Sequence, residues 1–273
     1  VKYFYAAVLS VMACLLSTGA DAHSLLHGAL YNIYGNDHRV VMERREAPLS
    51  AIGYLVTATG HCTATLVARD WILTAAHCVV NREKRVVELD GVMFIPNVHH
   101  GASTEVATVT EAIVGGTDVE GALANRVNDW ALLKIGSPLG ERFGIMTLHA
   151  VTGAELIARG PRFGLFGYPD DIEDGGTLVK QLGCSIRAVS VRGVLLHDCD
   201  SAPGQSGGPI LDTVTGQVVG LNNGQITPLV GGEGEGCPSR NRTLRGVDYS
   251  EQTSNFAAPL LAAQNALERR LAR

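Results

Sequence analysis

The chain has 273 residues, 46% of them hydrophobic, which is enough to bury a sizeable core and excludes a disordered chain. A formal net charge of −5 and the lack of a Lys/Arg stripe interleaved with aromatics exclude nucleic acid as a partner; the densest basic stretch, Arg269, Arg270 and Arg273, reads as a solvated helix face. Thirty-two glycines, few aromatics and short apolar runs broken by Gly, Pro, Asn and Asp clusters predict a mostly β chain of many short strands.

Residues 1–22 read as an export signal: Lys2, an apolar run from Tyr3 to Leu16, then the small residues Ala20-Asp21-Ala22 ahead of a mature start at His23. The run is too short to span a bilayer and no later stretch is long and apolar enough, so no stable membrane insertion is expected and the chain is placed outside the cell or in the periplasm. Val11-Met12-Ala13-Cys14 resembles a lipoprotein box, with Met12 a poor fit. Residues 23–47 are polar and irregular, which suits an N-terminal arm or a short pro-segment.

Apolar runs then recur. A first set at 51–57, 63–68, 71–74, 86–89, 92–95, 106–114 and 130–135 marks a first β lobe over residues 48–144. A second set at 145–148, 163–166, 178–182, 185–191, 194–196, 209–211, 218–221 and 244–247 marks another over residues 145–254. Two similar sets on either side of a linker point to two barrels. In the tail, residues 255–273, Asn255 is expected to cap a helix whose Leu260, Ala263, Leu267 and Leu271 recur at helical spacing and pack on the second lobe.

Three segments carry chemistry. Gly204-Gln205-Ser206-Gly207-Gly208-Pro209 sets a serine among glycines, which let the backbone turn sharply enough to aim the N–H groups of Gly204 and Ser206 at a developing oxyanion. Trp71-Ile72-Leu73-Thr74-Ala75-Ala76-His77-Cys78 ends an apolar strand in three small residues and a histidine, whose imidazole suits a base that takes and later returns a proton near neutral pH. Asp129 opens the apolar run Trp130-Ala131-Leu132-Leu133, which would shield it and hold it rigidly as the carboxylate behind the imidazole. All nine histidines precede Ser206, so an α/β-hydrolase, whose histidine follows its serine, is excluded.

Once Cys14 leaves with the signal, the odd number of cysteines leaves one thiol unpaired, and the count alone does not assign partners. No CxxC spacing supports zinc, and His99-His100 reads as a polar loop rather than a metal site.

The three segments, in the order His, Asp, Ser, resemble the chymotrypsin-fold serine peptidases, and more specifically their bacterial V8-like branch, typified by the glutamyl endopeptidases. Further resemblance lies in Gly35-Asn36-Asp37-His38-Arg39-Val40, Gly167-Tyr168-Pro169 and His197-Asp198-Cys199-Asp200-Ser201. It implies two perpendicular six-stranded antiparallel β-barrels followed by a C-terminal helix, with His77, Asp129 and Ser206 as catalytic triad in the cleft between the barrels. It also implies disulfides Cys62 to Cys78 and Cys184 to Cys199, leaving Cys237 free or paired outside the chain; a competing Cys237 would disturb the second bond and not the first. Neither a metal nor an organic cofactor is implied. The expected partners are protein or peptide substrates of a monomeric enzyme.

Two positions depart from the digestive trypsins. Gln205 cannot make the ion pair with a new N-terminal amine that an aspartate makes there. Asp200, six residues before the serine, sits where trypsins bind Arg or Lys, so with Ser201 and Asn222 it is assigned to the pocket for the residue before the cut (P1), with a lean to basic side chains. The glutamyl enzymes place a histidine where this chain has Asn222, which weakens a glutamate preference. The alternative reading is a catalytically silent homologue that binds a protein through the same cleft.

Overall fold

The computed structural model describes residues 33, 36–43, 46–116, 121, 126–225 and 255–273. The export signal, the 244–247 run, Cys14 and Cys237 lie outside these residues. Sixteen strands are described. The arm and first lobe carry β1 (Val40–Val41), β2 (Ile52–Thr57), β3 (Gly60–Leu66), β4 (Trp71–Thr74), β5 (Val80–Asn81), β6 (Val86–Val87), β7 (Met93–Pro96), β8 (Ala107–Val114) and β9 (Ala131–Ile135). The second lobe carries β10 (Phe163–Gly167), β11 (Val179–Cys184), β12 (Ile186–Val189), β13 (Leu195–His197), β14 (Pro209–Asp212), β15 (Val218–Gln225) and β16 (Asn255–Ala258).

The first lobe is a closed barrel in the order β2-β3-β4-β9-β8-β7. Its strands are rich in residues that fit a pleated, half-buried surface, and Ile52, Leu55, Leu66, Ile72, Leu73, Phe94, Leu132 and Leu133 fill the interior with no exposed area. The second lobe is one sheet in the order β1-β11-β10-β14-β15-β16-β13-β12. Only Ser185 separates β11 from β12, so the two flanks of this sheet are one continuous run of chain, and six chain segments return on themselves around Phe163, Leu165, Ile186, Leu195, Ile210 and Val219.

Three expectations need correction. Residues 145–148 are not a strand: Met146 N–H donates to Leu66 O at 2.9 Å and Leu148 makes a single parallel bridge to Val218, so this stretch is the connection crossing between lobes. Asn255 does not cap a helix. It opens β16, which fills the gap between β13 and β15, and its side-chain N–H donates to Cys199 O at 2.5 Å; pairing on both sides outweighs the helical preference of Ala257 and Ala258. The C-terminal helix, Leu261–Leu271, packs chiefly on the first barrel, touching the second lobe where Gln264 Oε1 accepts the Ala150 N–H at 2.9 Å. Ala263, Ala266 and Leu267 join the first core, Arg270 pairs with Glu111 and lies over the Trp71 ring, and Leu271 faces solvent.

The arm belongs structurally to the second lobe. Val40 and Val41 pair antiparallel with Lys180 and Val179. Behind them Arg39 is buried, its guanidinium bonded to both carboxylate oxygens of Asp37 and both of Asp171. Burying this cation is tolerable because two carboxylates satisfy its fork.

Candidate active site

Strands β4 and β9 pair in register, with Thr74 opposite Ala131, so the residues just beyond β4 and just before β9 are brought to the same end of the barrel. His77 lies in a single 3-10 turn after Ala75 and Ala76, both fully buried, and Asp129 immediately precedes Trp130 and β9. The backbone N–H of His77 donates to Asp129 Oδ1 at 2.9 Å, and Nδ1 lies 2.9 Å from Oδ2 and 3.1 Å from Oδ1. Since the carboxylate only accepts, Nδ1 is the protonated ring nitrogen and Nε2 carries the lone pair.

Asp129 is 4% exposed. Burial alone would raise its pKa, but the His77 ring, the His77 N–H and the charge of Arg126 outweigh burial and hold the carboxyl below the ordinary carboxylate range. Arg126 Nη1 donates to Asp129 Oδ2 at 3.3 Å and to Asn223 O. The Asn223 side-chain N–H returns a bond to Arg126 O at 2.6 Å. Arg126, in the first lobe just before Asp129, and Asn223, on β15 of the second, are contacts that the sequence reading missed; they stand 97 positions apart, and no local pattern joins them.

The serine turn is pressed onto this corner. Thr63 N–H donates to Ser206 O at 2.8 Å, and Gly207 N–H donates to Asn222 O at 2.7 Å. Gly207 has φ +82°, and a Cβ there would lie 2.2 Å from Thr63 O, 2.2 Å from Thr74 Oγ1 and 2.9 Å from Ala75 N. Only glycine admits that approach, and it seats the turn two residues from His77. Neither Ser206 Oγ nor His77 Nε2 has a hydrogen-bond partner among the described residues, and the bond between the two is open in this structure. Such bonds commonly tighten only around substrate.

On the other side of the serine, Thr63 Oγ1 donates to Gly204 O at 2.9 Å, turning that carbonyl inward. The N–H groups of Gln205, Gly207 and Gly208 are all spent on backbone acceptors. Those of Gly204 and Ser206 have no acceptor among the described residues. A cavity of about 420 Å³ opens beside His77, lined by Ala58, Thr59, Cys78, Asn81 and Glu88.

Two disulfides support the site, Cys62 to Cys78 and Cys184 to Cys199. The first links β3, next to Thr63, to the residue after His77. Replacing both Cys62 and Cys78 by alanine releases a loop of 16 residues and is expected to lower unfolding stability by about 3 kcal/mol in denaturant titration.

The residues assigned to the P1 pocket separate into two groups. Asn222 and Ser201 are buried together: Asn222 Nδ2 donates to Ser201 Oγ at 3.1 Å and to Gln205 O at 2.9 Å, and Oδ1 meets His197 Nε2 at 3.1 Å. Asp200 is fully buried and turned to the arm, with Oδ2 accepting the His38 N–H at 3.0 Å and lying 3.2 Å from His38 Nδ1. The structure thus joins Asp200 to His38 rather than to the Asn222 group. Gln205 closes its own loop, Oε1 accepting Ala202 N–H at 3.0 Å.

The family described as "trypsin-like peptidase domain" matches residues 62–221, more than half of the chain. No curated protein matches the sequence. Among solved structures, a Glu endopeptidase in complex with MPD is 24% identical, with a TM-score of 0.69 covering 88% of this chain and 100% of that one. Protease Anisep from Arthrobacter nicotinovorans is 18% identical, TM-score 0.59, covering 84% and 98%. A thermostable serine protease, AL20, from an extremophilic microorganism is 17% identical, TM-score 0.55, covering 81% and 97%. At these identities the structural likenesses establish the fold.

Proposed function

The chain belongs to the trypsin-like peptidase family and is a serine-type endopeptidase, and from that premise we propose that it cleaves protein substrates through an acyl-enzyme, with His77, Asp129 and Ser206 as its triad. The observation that carries this reading is the pair of hydrogen bonds from His77 to Asp129, by backbone N–H and by Nδ1, which leaves Nε2 as the basic nitrogen beside the serine turn. Nε2 takes the proton of Ser206 Oγ as the oxygen attacks the peptide carbonyl. The oxyanion is received by the N–H groups of Gly204 and Ser206. As the C–N bond breaks, the imidazolium returns the proton to the departing amine. Water, activated by the same nitrogen, then attacks the ester and frees Ser206. Asp129 stays ionised throughout and stabilises the imidazolium.

A fluorophosphonate probe tests this directly: one equivalent is expected on Ser206 of the mature protein. Absence of labelling, including after limited proteolysis to release any pro-segment, favours the silent binding homologue.

For specificity, the arm contact alters the first expectation. With its carboxylate on His38 and no exposed surface, Asp200 offers no open charge to an Arg or Lys side chain, and we assign the P1 pocket to Ser201 and Asn222 with Asp200 as anchor of the arm. Asp200→Asn is expected to leave the P1 profile of a peptide library, read by mass spectrometry, unchanged. A sharp loss of Arg/Lys cleavage in that variant would return Asp200 to the pocket. Two disulfides suit an oxidising compartment, in keeping with action outside the cell or in the periplasm.

A further inference from the structure

Away from the cleft, one junction gathers imidazoles and carboxylates from three separate stretches of chain. His99 and His100 lie in the loop between β7 and β8, with ring centroids 4.1 Å apart. Glu43 reaches them from the arm, its Oε2 3.8 Å from His99 Nε2. Glu173 comes from the second lobe between β10 and β11, its Oε2 2.7 Å from His100 Nδ1. One ligand atom each from Glu43, His99 and His100 lies within 4.8 Å of the other two.

The frame around these groups is built rather than incidental. The His100 N–H donates to Oγ1 of the fully buried Thr177 at 2.9 Å, and the same hydroxyl donates to Glu173 Oε2 at 2.5 Å. Gly101 N–H donates to Gly176 O at 2.8 Å, tying the two loops together. His100 and Glu173 adopt φ of 47° and 51°, in the left-handed region that is uncommon for residues other than glycine. His99 Nδ1 is buried without a hydrogen-bond partner among the described residues, so Nε2 is the nitrogen this ring presents to Glu43.

We propose that Glu43, His99, His100 and Glu173 form a binding site for a divalent transition metal of the zinc class. Zinc takes imidazole nitrogen and carboxylate oxygen at about 2.0–2.2 Å in tetrahedral array, which places ligand atoms roughly 3.4 Å apart. The 2.7 and 3.8 Å separations bracket that value; the mutual approach within 4.8 Å holds for Glu43, His99 and His100, so closing the site requires the Glu173 carboxylate to turn toward them. The ion takes the place of the proton that His100 shares with Glu173, and Thr177 orients the Glu173 carboxylate from behind, as outer partners of metal ligands do. Two imidazoles select against calcium and magnesium, which take oxygen donors. A bound ion would staple the arm to both lobes. The sequence reading took His99-His100 for a polar loop because neither glutamate is near it along the chain.

The test uses the full chain carrying Ser206→Ala, which prevents autolysis, stripped with chelator and titrated with Zn²⁺ or Ca²⁺ by calorimetry and thermal melting. One zinc equivalent is expected, with a melting rise of about 5 °C at a hundredfold excess over Kd. His99→Ala, His100→Ala and the exposed-site variant Glu43→Gln should each weaken zinc at least tenfold, while His77→Ala, which removes an imidazole outside this cluster, should not. Absence of zinc binding, undiminished affinity in Glu43→Gln or His100→Ala, loss of binding in His77→Ala, or an equal response to calcium overturns the proposal.

Discussion

Ser206→Ala is expected to reduce kcat for peptide hydrolysis by roughly 10⁶-fold, with little change in KM and in melting temperature. The hydroxyl is bonded to no described residue, so removing it breaks nothing in the fold. The turn is held by other atoms: Thr63 N–H on Ser206 O, Gly207 N–H on Asn222 O, and the close seat of Gly207 against Thr74 and Ala75. The variant should therefore still bind substrate and still offer the Gly204 and Ser206 N–H groups to a carbonyl. What remains is hydrolysis by water in a site that stabilises the oxyanion without a nucleophile, a residual rate some 10³- to 10⁴-fold above solution. Single-turnover kinetics with an ester substrate reads this out, and a variant that retained even a hundredth of wild-type kcat would sink the assignment of Ser206.

How far the sequence foretold this site depends on whether the relevant contacts are local. The ends of β4 and β9 were legible because each is an apolar run that halts at a residue with obvious chemistry, His77 and Asp129, and the barrel register then joins them. The serine turn was legible for the same reason, three glycines in five positions around Ser206. The corner behind Asp129 was not: Arg126 alone in a polar stretch carries no signal, and its partner Asn223 belongs to the other lobe. Asp200 shows the opposite limit of such a reading. Its offset from the serine suggested a specificity charge, but His38, 162 positions upstream, occupies it, and no reading of local spacing reveals an arm that folds back. Asn255 was misassigned because capping preference is weak beside two flanking strands that supply a full set of backbone partners.

Asp129→Asn is expected to lower kcat by about 10⁴-fold at neutral pH while the protein stays folded. The amide is nearly the same size, and its oxygen can keep the bond from the His77 N–H that Oδ1 now accepts. Its nitrogen is the difference. Placed where Oδ2 now sits, 2.9 Å from Nδ1, an NH₂ group donates to that nitrogen instead of accepting from it. The ring then holds its proton on Nε2, the atom that has to take the proton of Ser206, and the imidazolium loses the anion that stabilises it. Stability carries a second signature. The Asp129 carboxyl is held below its ordinary range, so the stabilisation it gives is complete above its unfolded pKa near 3.9 and fades as pH falls through the lower folded value. Asparagine does not titrate, so the acid limb of the melting profile below about pH 4 should be shallower in the variant. Equal acid limbs in the two proteins would show that the carboxylate carries no depressed pKa, and a neutral-pH kcat within tenfold of wild type would show that it does not hold the tautomer.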